Sequence, residues 1–186
     1  MEYILASASP RRKELLRYLI PKFTVSPTDS DESLPKSIGG ADAVEVLSER
    51  KAKACAKNHP DAVVIGCDTV VELDGEILGK PRDESDARRM LSLLSGKTHR
   101  VYTGVCISFQ NLEHTFHVCT EVTFMVLTEK QMTDYLATGE PFDKAGAYGI
   151  QGYGCTLVQR INGCYYNVMG LPVAALGEQM RKLSLL

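Results

Sequence analysis

Two arginines follow a serine-rich turn near the start of the chain, in an arrangement that could bind an anion such as phosphate. Residues 7–12 read Ser-Ala-Ser-Pro-Arg-Arg, and Ser9 followed by Pro10 is typical of the start of a helix. The unpaired N–H groups at a helix N-terminus attract anions, and Arg11 and Arg12 add guanidinium groups suited to phosphate oxygens. A capped helix with two solvated arginines is the alternative interpretation.

A carboxylate lies in the middle of an apolar, β-branched run. Residues 63–71 read Val-Val-Ile-Gly-Cys-Asp-Thr-Val-Val, which predicts a buried strand. A carboxylate there is rarely structural without a partner, so Asp68 is a candidate general base or a ligand for a hard divalent cation. Hydrogen bonds from local backbone N–H groups would be the structural alternative. Thr69 is expected to face the opposite side of the strand.

Two lysines are candidates for cations near this carboxylate. Helical spacing places Lys51 on the apolar stripe of a predicted helix, Ala41 to Lys57. An ammonium group on that stripe either extends past its edge to water or meets an anion. Lys80 follows a predicted hairpin that leaves the Asp68 strand, and could return toward that residue.

A loop rich in small residues is the last segment that could contribute to a functional site. Residues 143–152 read Asp-Lys-Ala-Gly-Ala-Tyr-Gly-Ile-Gln-Gly, a composition that allows the backbone to approach a ligand closely. Gln151 offers an amide donor and an acceptor, which suits it to recognise the edge of a nucleotide base. A plain surface loop is the alternative.

Size, charge and composition exclude several classes of protein. The 186 residues fit a single domain, residues 1–186, and the net charge of -2 shows no basic surface for nucleic acid. No signal peptide and no apolar run of the roughly 18 residues that a membrane helix needs is evident, so we expect a cytoplasmic protein without membrane partners. The six cysteines contain no Cys-x-x-Cys pair and are expected to be buried, reduced thiols. The histidines show no metal-binding spacing, and no P-loop or Gly-x-Ser-x-Gly motif occurs.

The predicted elements alternate between strands and helices and include several hairpins, which indicates an α/β fold with a mixed sheet. Ser9, Asp83 and Thr128 are predicted to begin helices, the last with Gln131 in a capping box. Asn162-Gly163 predicts a hairpin. Further strands are predicted at Phe23 to Ser26, Phe116 to Leu127, Thr156 to Ile161 and Tyr165 to Met169.

Together these segments resemble the Maf family of nucleotide pyrophosphatases. Residues 5–12, Leu-Ala-Ser-Ala-Ser-Pro-Arg-Arg, are highly specific to that family. The other matching segments are Asp31-Glu32, Lys51-Ala52, residues 66–71, Gly79-Lys80-Pro81, residues 94–96 with His99, and residues 101–104. Residues 143–152, followed by Gly170-Leu171-Pro172, look like the branch that acts on dTTP and UTP, whereas the branch acting on 7-methyl-GTP differs there.

The resemblance implies a fold like that of the inosine triphosphate pyrophosphatases (Maf/Ham1), an elongated, twisted mixed sheet flanked by helices with a central cleft between two lobes. It implies a divalent cation, Mg²⁺ or Mn²⁺, a cytoplasmic location and a homodimer. By position Asp68 would accept a proton, with Glu32 and Lys80 beside it and the metal on Asp68 and Glu32. The residues implied to bind substrate are Ser7, Arg11, Arg12, Lys51, Thr69 and Gln151, of which Arg11, Thr69 and Gln151 would set base specificity.

The leading functional prediction is hydrolysis of dTTP and UTP to the monophosphate and pyrophosphate. One alternative is the same reaction on 7-methyl-GTP or another modified nucleotide. The other is a nucleotide-binding regulator of cell division and septum formation, a role associated with this family in some bacteria. Retention of Asp68, Lys80 and Arg12 argues against a purely binding role.

Overall fold

A seven-stranded mixed sheet forms the centre of the computed structural model, which describes residues 1–35 and 37–186. The strands are β1 (Tyr3–Ala6), β2 (Thr24–Val25), β3 (Val63–Leu73), β4 (Glu76–Leu78), β5 (Thr98–Phe109), β6 (Leu112–Phe124) and β7 (Val158–Asn162). Their order is β2-β1-β3-β5-β6-β7, with β4 paired to β3. Only the pairs of β1 with β2 and β3 are parallel. The predicted mixed sheet is therefore confirmed.

Three of the helices, α1, α3 and α4, begin where the sequence predicted caps. They are α1 (Pro10–Arg17), α2 (Gly40–Ala56), α3 (Glu84–Leu94), α4 (Glu129–Ala137), α5 (Tyr165–Met169) and α6 (Val173–Lys182). The side chains of Ser9, Asp83 and Thr128 each accept a hydrogen bond from a backbone N–H in the first helical turn. Thr128 and Gln131 form the predicted capping box. Side-chain oxygens at these positions satisfy N–H groups that would otherwise lack partners.

Three apolar cores lie on the sheet and leave a cleft between them. One joins β3 and β5 to α1 and α6 on one face, and the second packs α2 on the opposite face. The third lies at the far end of β3 and β5, where α3, α4 and the segment before β7 cover the strands. The middle of β3 passes from the first core to the third, so its polar residues face the gap between them.

Two glycines let α2 lie directly on the sheet. A Cβ atom built on Gly66 would stand 2.3 Å from the carbonyl oxygen of Ser48, and one on Gly104 would stand 2.2 Å from that of Val44. Both distances are shorter than van der Waals contact, so any side chain at these positions would push the helix away. The close approach of α2 brings its polar residues within reach of β3.

The predicted strand at Tyr165 to Met169 is wrong, because these residues form helix α5. β7 pairs with β6, and the chain then leaves the sheet at Gly163, whose φ is 134°. The amide of Asn167 donates to the carbonyl oxygen of Val101 and to the hydroxyl of Thr120, both at 3.0 Å. These side-chain hydrogen bonds fix a helical turn over the sheet in place of the second strand of a hairpin.

The prediction for the cysteines is correct in part. Cys55, Cys67 and Cys106 are free and buried, Cys164 is free and half-buried, and Cys119 and Cys155 are free and exposed. Cys119 lies on β6 and Cys155 in a short 3-10 turn, where the apolar character of the surrounding sequence does not lead to burial. Within the described residues, no helix has the length and apolar character needed to cross a membrane.

A buried histidine gives the fold a predictable dependence on pH. His99 is 2% exposed, its Nε2 lies 2.7 Å from the hydroxyl of Tyr148, and burial lowers its pKa to about 4. The unfolded chain binds a proton near pH 6.5, so neutral His99 supports folding above that pH and this support is lost as the pH falls toward 4.

We therefore expect His99 to account for a loss of about 3 kcal/mol in the free energy of unfolding between pH 6.5 and pH 4. Urea unfolding of the wild type and of His99→Gln at several pH values in this range measures the contribution of His99 to the pH dependence of the free energy of unfolding. The variant should show a smaller decrease with falling pH, and equal decreases in both proteins would contradict the assignment.

Candidate active site

The cleft between the cores has a volume of about 970 Å³ and is lined by every residue that the sequence singled out for a site. Those residues are Ser7, Arg11, Arg12, Glu32, Lys51, Asp68, Thr69, Lys80 and Gln151. They come from the turn before α1, the segment between β2 and α2, the middle of α2 and β3, the turn after β4, and the loop before β7. The residues are far apart in sequence, and the fold brings them to one cavity.

Lys51 and Asp68 form an ion pair at the floor of the cleft. The Nζ of Lys51 lies 2.5 Å from the Oδ1 of Asp68 and 2.9 Å from the Oε1 of Glu32. The side chains of Lys51 and Asp68 are 16% and 13% exposed, whereas that of Glu32 is 68% exposed. Of the two alternatives for Lys51, the structure therefore shows the one in which the ammonium meets an anion.

The opposite charges at this site stabilise one another in their ionised forms. Burial alone would lower the pKa of Lys51, but Asp68 and Glu32 outweigh this effect and raise it above its ordinary value. The hydrogen bond and the charge of Lys51 lower the pKa of Glu32, and the charge of Lys80 lowers it further. Lys51 is thus a cation and Glu32 an anion at neutral pH, which suits the cleft to both phosphate and a metal ion.

Arg50 holds the segment that carries Glu32, a role that the sequence did not indicate. Its Nη1 donates to the carbonyl oxygens of Asp31, at 3.0 Å, and Ser33, at 2.7 Å, on either side of Glu32. The neighbouring Lys51 binds the Glu32 carboxylate itself. Because that segment has no regular secondary structure, these contacts from α2 are what fix it over the cleft.

Most of the hydrogen-bond donors of the Arg12 guanidinium group are used by other groups of the protein. Four hydrogen bonds from its guanidinium group reach the carbonyl oxygens of Gly170 and Cys67 and the hydroxyls of Ser7 and Thr69, at 2.8 to 3.2 Å. Arg12 therefore joins the start of α1 to β3 and to the end of α5. With five N–H groups in all, the guanidinium has one further donor for a ligand.

An ionic contact crosses the mouth of the cleft. The Nη1 of Arg11 lies 3.5 Å from the Oδ2 of Asp143, whose other carboxylate oxygen accepts from Lys144 at 2.6 Å. Burial would raise the pKa of Asp143, but Lys144 and Arg11 lower it. The start of α1 and the loop that carries Gln151 are thereby linked from opposite sides of the cavity.

The donor set at the cleft floor fits a divalent cation that also binds substrate. Within the described part of the chain, no group of three or more His, Cys, Asp or Glu side chains is placed to hold a metal ion. Glu32 and Asp68 nevertheless both contact the ammonium of Lys51. Mg²⁺ is commonly held by one or two carboxylates, with water and substrate phosphates as the remaining ligands.

Cys67 is not a nucleophile in this arrangement. Its thiol is fully buried next to Asp68, and burial raises its pKa to about 11. A thiol with that pKa is almost entirely protonated at neutral pH and is a weak nucleophile. The groups in the cleft that are suited to chemistry are therefore its carboxylates and cations.

The mixed sheet flanked by helices has the fold of the Ham1 proteins. The HAM1 protein of Coxiella burnetii superimposes with a TM-score of 0.58 at 12% identity, covering 98% of this chain and 99% of the other. The Ham1 protein of Staphylococcus aureus gives a TM-score of 0.53 at 16% identity, covering 85% and 80%.

The chain belongs to the Maf family, because the family model described as "Maf-like protein" matches residues 2–183. Among its relatives is a protein of Bacillus cytotoxicus named "dTTP/UTP pyrophosphatase", 49% identical over 181 residues, 97% of this chain and 95% of the relative. A Bacillus cereus protein of the same name is 48% identical over 182 residues, 98% of this chain and 95% of the relative.

Proposed function

We propose that this protein hydrolyses dTTP and UTP to the nucleoside monophosphate and pyrophosphate. The observation that carries the proposal is the pairing of Asp68 with Lys51 in a cleft that is also lined by Arg11, Arg12, Lys80 and Gln151. The names of the Bacillus relatives, at 48–49% identity over nearly the whole chain, support the same substrates.

Asp68 is the proposed general base. Its carboxylate is held in place by Lys51 and would orient a water molecule and take its proton as the water attacks the α-phosphorus. Pyrophosphate is the leaving group, and negative charge builds on it as the bond breaks. Lys51, Lys80 and the start of α1 supply the positive charge that stabilises this group.

A divalent cation, Mg²⁺ or Mn²⁺, completes this proposal, with Glu32 and Asp68 as its protein ligands. When bound, such a cation neutralises charge on the triphosphate oxygens that it contacts. Lys51 holds both carboxylates together in the protein alone, so the site is arranged for the ion before it arrives. With a cation there, Glu32 and Asp68 would hold it, and Lys51 would be available to contact a phosphate oxygen.

Base selection is assigned to the rim of the cleft. Gln151 is exposed in the loop before β7, and its amide can donate and accept at the edge of a pyrimidine. Arg11 at the start of α1 and Thr69 on β3 line the same cleft. Ser7 and Arg12 hold the turn against which the triphosphate lies.

We also propose that residues 1–186 act as one domain, that the protein works as a homodimer, and that it does so in the cytoplasm. These proposals rest on the family resemblance. Sedimentation velocity of the purified protein tests the dimer, and a single species with the mass of one chain at micromolar concentration would rule it out.

The substrate assignment is tested by incubating the protein with Mg²⁺ and dTTP, UTP, CTP, dATP, GTP or 7-methyl-GTP. We expect TMP and UMP with pyrophosphate as the main products. Preferential release of 7-methyl-GMP would reassign the substrate. Tight nucleotide binding without turnover would instead favour a regulatory role in cell division.

A further inference from the structure

Gln151 depends on its backbone for its position. Its side chain is exposed, and it stands in a turn between Gly149 and Gly154 that belongs to no strand. An exposed side chain in such a turn has little packing of its own to fix it. Whatever holds the turn therefore decides where the amide of Gln151 meets a bound base.

The carboxylate of Glu140 and the hydroxyl of Tyr135 hold both ends of this turn. Glu140 Oε1 accepts from the Tyr135 hydroxyl at 3.0 Å and from the N–H of Gly154 at 3.1 Å. Glu140 Oε2 accepts from the N–H of Tyr153 at 2.9 Å. The Tyr135 hydroxyl in turn accepts from the N–H of Gly149 at 3.1 Å. Three backbone N–H groups around Gln151 are thus bound by these two side chains.

The turn is also wrapped tightly around the carboxylate. A Cβ atom on Gly152 would stand 2.4 Å from Glu140 Oε2, and Gly152 has a φ of 63°. Lys144 closes the other side: its Nζ donates to the carbonyl oxygen of Glu140 at 2.6 Å, and its methylene groups pack on Gly149. Glu140 itself is not among the described residues that line the cleft.

We propose that Glu140 is a positioning residue for base selection, acting through the backbone of residues 149–154 on Gln151. This inference rests on the proposed function, in which Gln151 selects the base, because Glu140 would position Gln151. A carboxylate is needed because it has two oxygens that both accept, whereas an amide has one oxygen acceptor and places an NH₂ donor against an N–H.

The test compares the wild type with Glu140→Gln, using steady-state hydrolysis of UTP and CTP. We expect the KM for UTP to rise about tenfold, with kcat changed less than about threefold and the preference for UTP over CTP reduced about tenfold. Glu129→Gln is the matched control, since Glu129 is an exposed glutamate on the same helix as Tyr135. Its ion pair in the part of the chain that the structure describes is with Arg88, at the surface. This control variant should keep the wild-type values.

Tyr135→Phe is the second variant and carries the test if Glu140→Gln does not fold. It removes one acceptor from Gly149 and one donor from Glu140, so it should lower the UTP preference in the same direction. Unchanged preference in these variants would overturn the inference, as would an equal loss of kcat for both nucleotides. If the wild type itself hydrolyses neither UTP nor dTTP, the proposed function fails, and this inference fails with it.

Discussion

Replacing Asp68 with asparagine is expected to lower kcat for dTTP by about 10²–10⁴-fold, the usual effect of removing a general base. Asparagine has nearly the same shape but cannot take a proton from water. The fold should survive, because Lys51 keeps Glu32 as a partner at 2.9 Å. Single-turnover hydrolysis measures the rate, and thermal unfolding measures the stability.

The matched control is Asp134→Asn, which changes a solvent-exposed aspartate on α4 that, among the described residues, pairs only with Lys130. It should hydrolyse dTTP at the wild-type rate. If Asp68→Asn also retained near-normal turnover, Asp68 would be a structural ion-pair partner and the base would lie elsewhere.

Replacing Lys51 with methionine is expected to reduce both catalysis and stability. Methionine fills similar space but leaves Asp68, whose side chain is 13% exposed, without its ammonium partner. Loss of one member of a mostly buried ion pair typically costs about 3–5 kcal/mol. Loss of the cation should also raise the KM for dTTP by about tenfold or more, since charge-assisted hydrogen bonds to phosphate are worth roughly 1.5–3 kcal/mol. Chemical unfolding and steady-state kinetics check the two effects.

A double variant separates these effects. Lys51→Met with Asp68→Asn removes both charges, so it should recover much of the lost stability while remaining inactive. Lys53→Met, two residues along α2, is the control, because Lys53 pairs with exposed carboxylates of Glu49 and Glu113. Wild-type stability and KM in Lys51→Met would mean that the ion pair of Lys51 with Asp68 contributes neither to folding nor to substrate binding.

The parts of the fold that the sequence predicts are those governed by local rules. Side-chain caps at Ser9, Asp83 and Thr128 depend on residues three positions apart, and each is present. The buried strand around Asp68 was predictable because the run of apolar, β-branched residues favours a strand over other secondary structure. An isolated carboxylate in that run was the strongest local sign of a site, and the structure places it in the cleft.

The parts that could not be predicted depend on partners distant in sequence. Helix α5 replaces a predicted strand because Asn167 binds Thr120 and Val101, which lie 47 and 66 residues away. The supporting residues were missed for a similar reason. Arg50 and Glu140 are ordinary charged residues in the sequence, and their roles appear only when the carbonyl and N–H groups that they bind are located.

Hydrolysis of dTTP in water enriched in oxygen-18 tests the central claim most directly, because it shows which phosphorus atom the water attacks. The proposed mechanism predicts that the heavy oxygen enters TMP and that pyrophosphate carries none, as detected by mass spectrometry of the separated products. Heavy oxygen in the pyrophosphate, or release of orthophosphate with dTDP, would place the attack on another phosphorus atom and contradict the account.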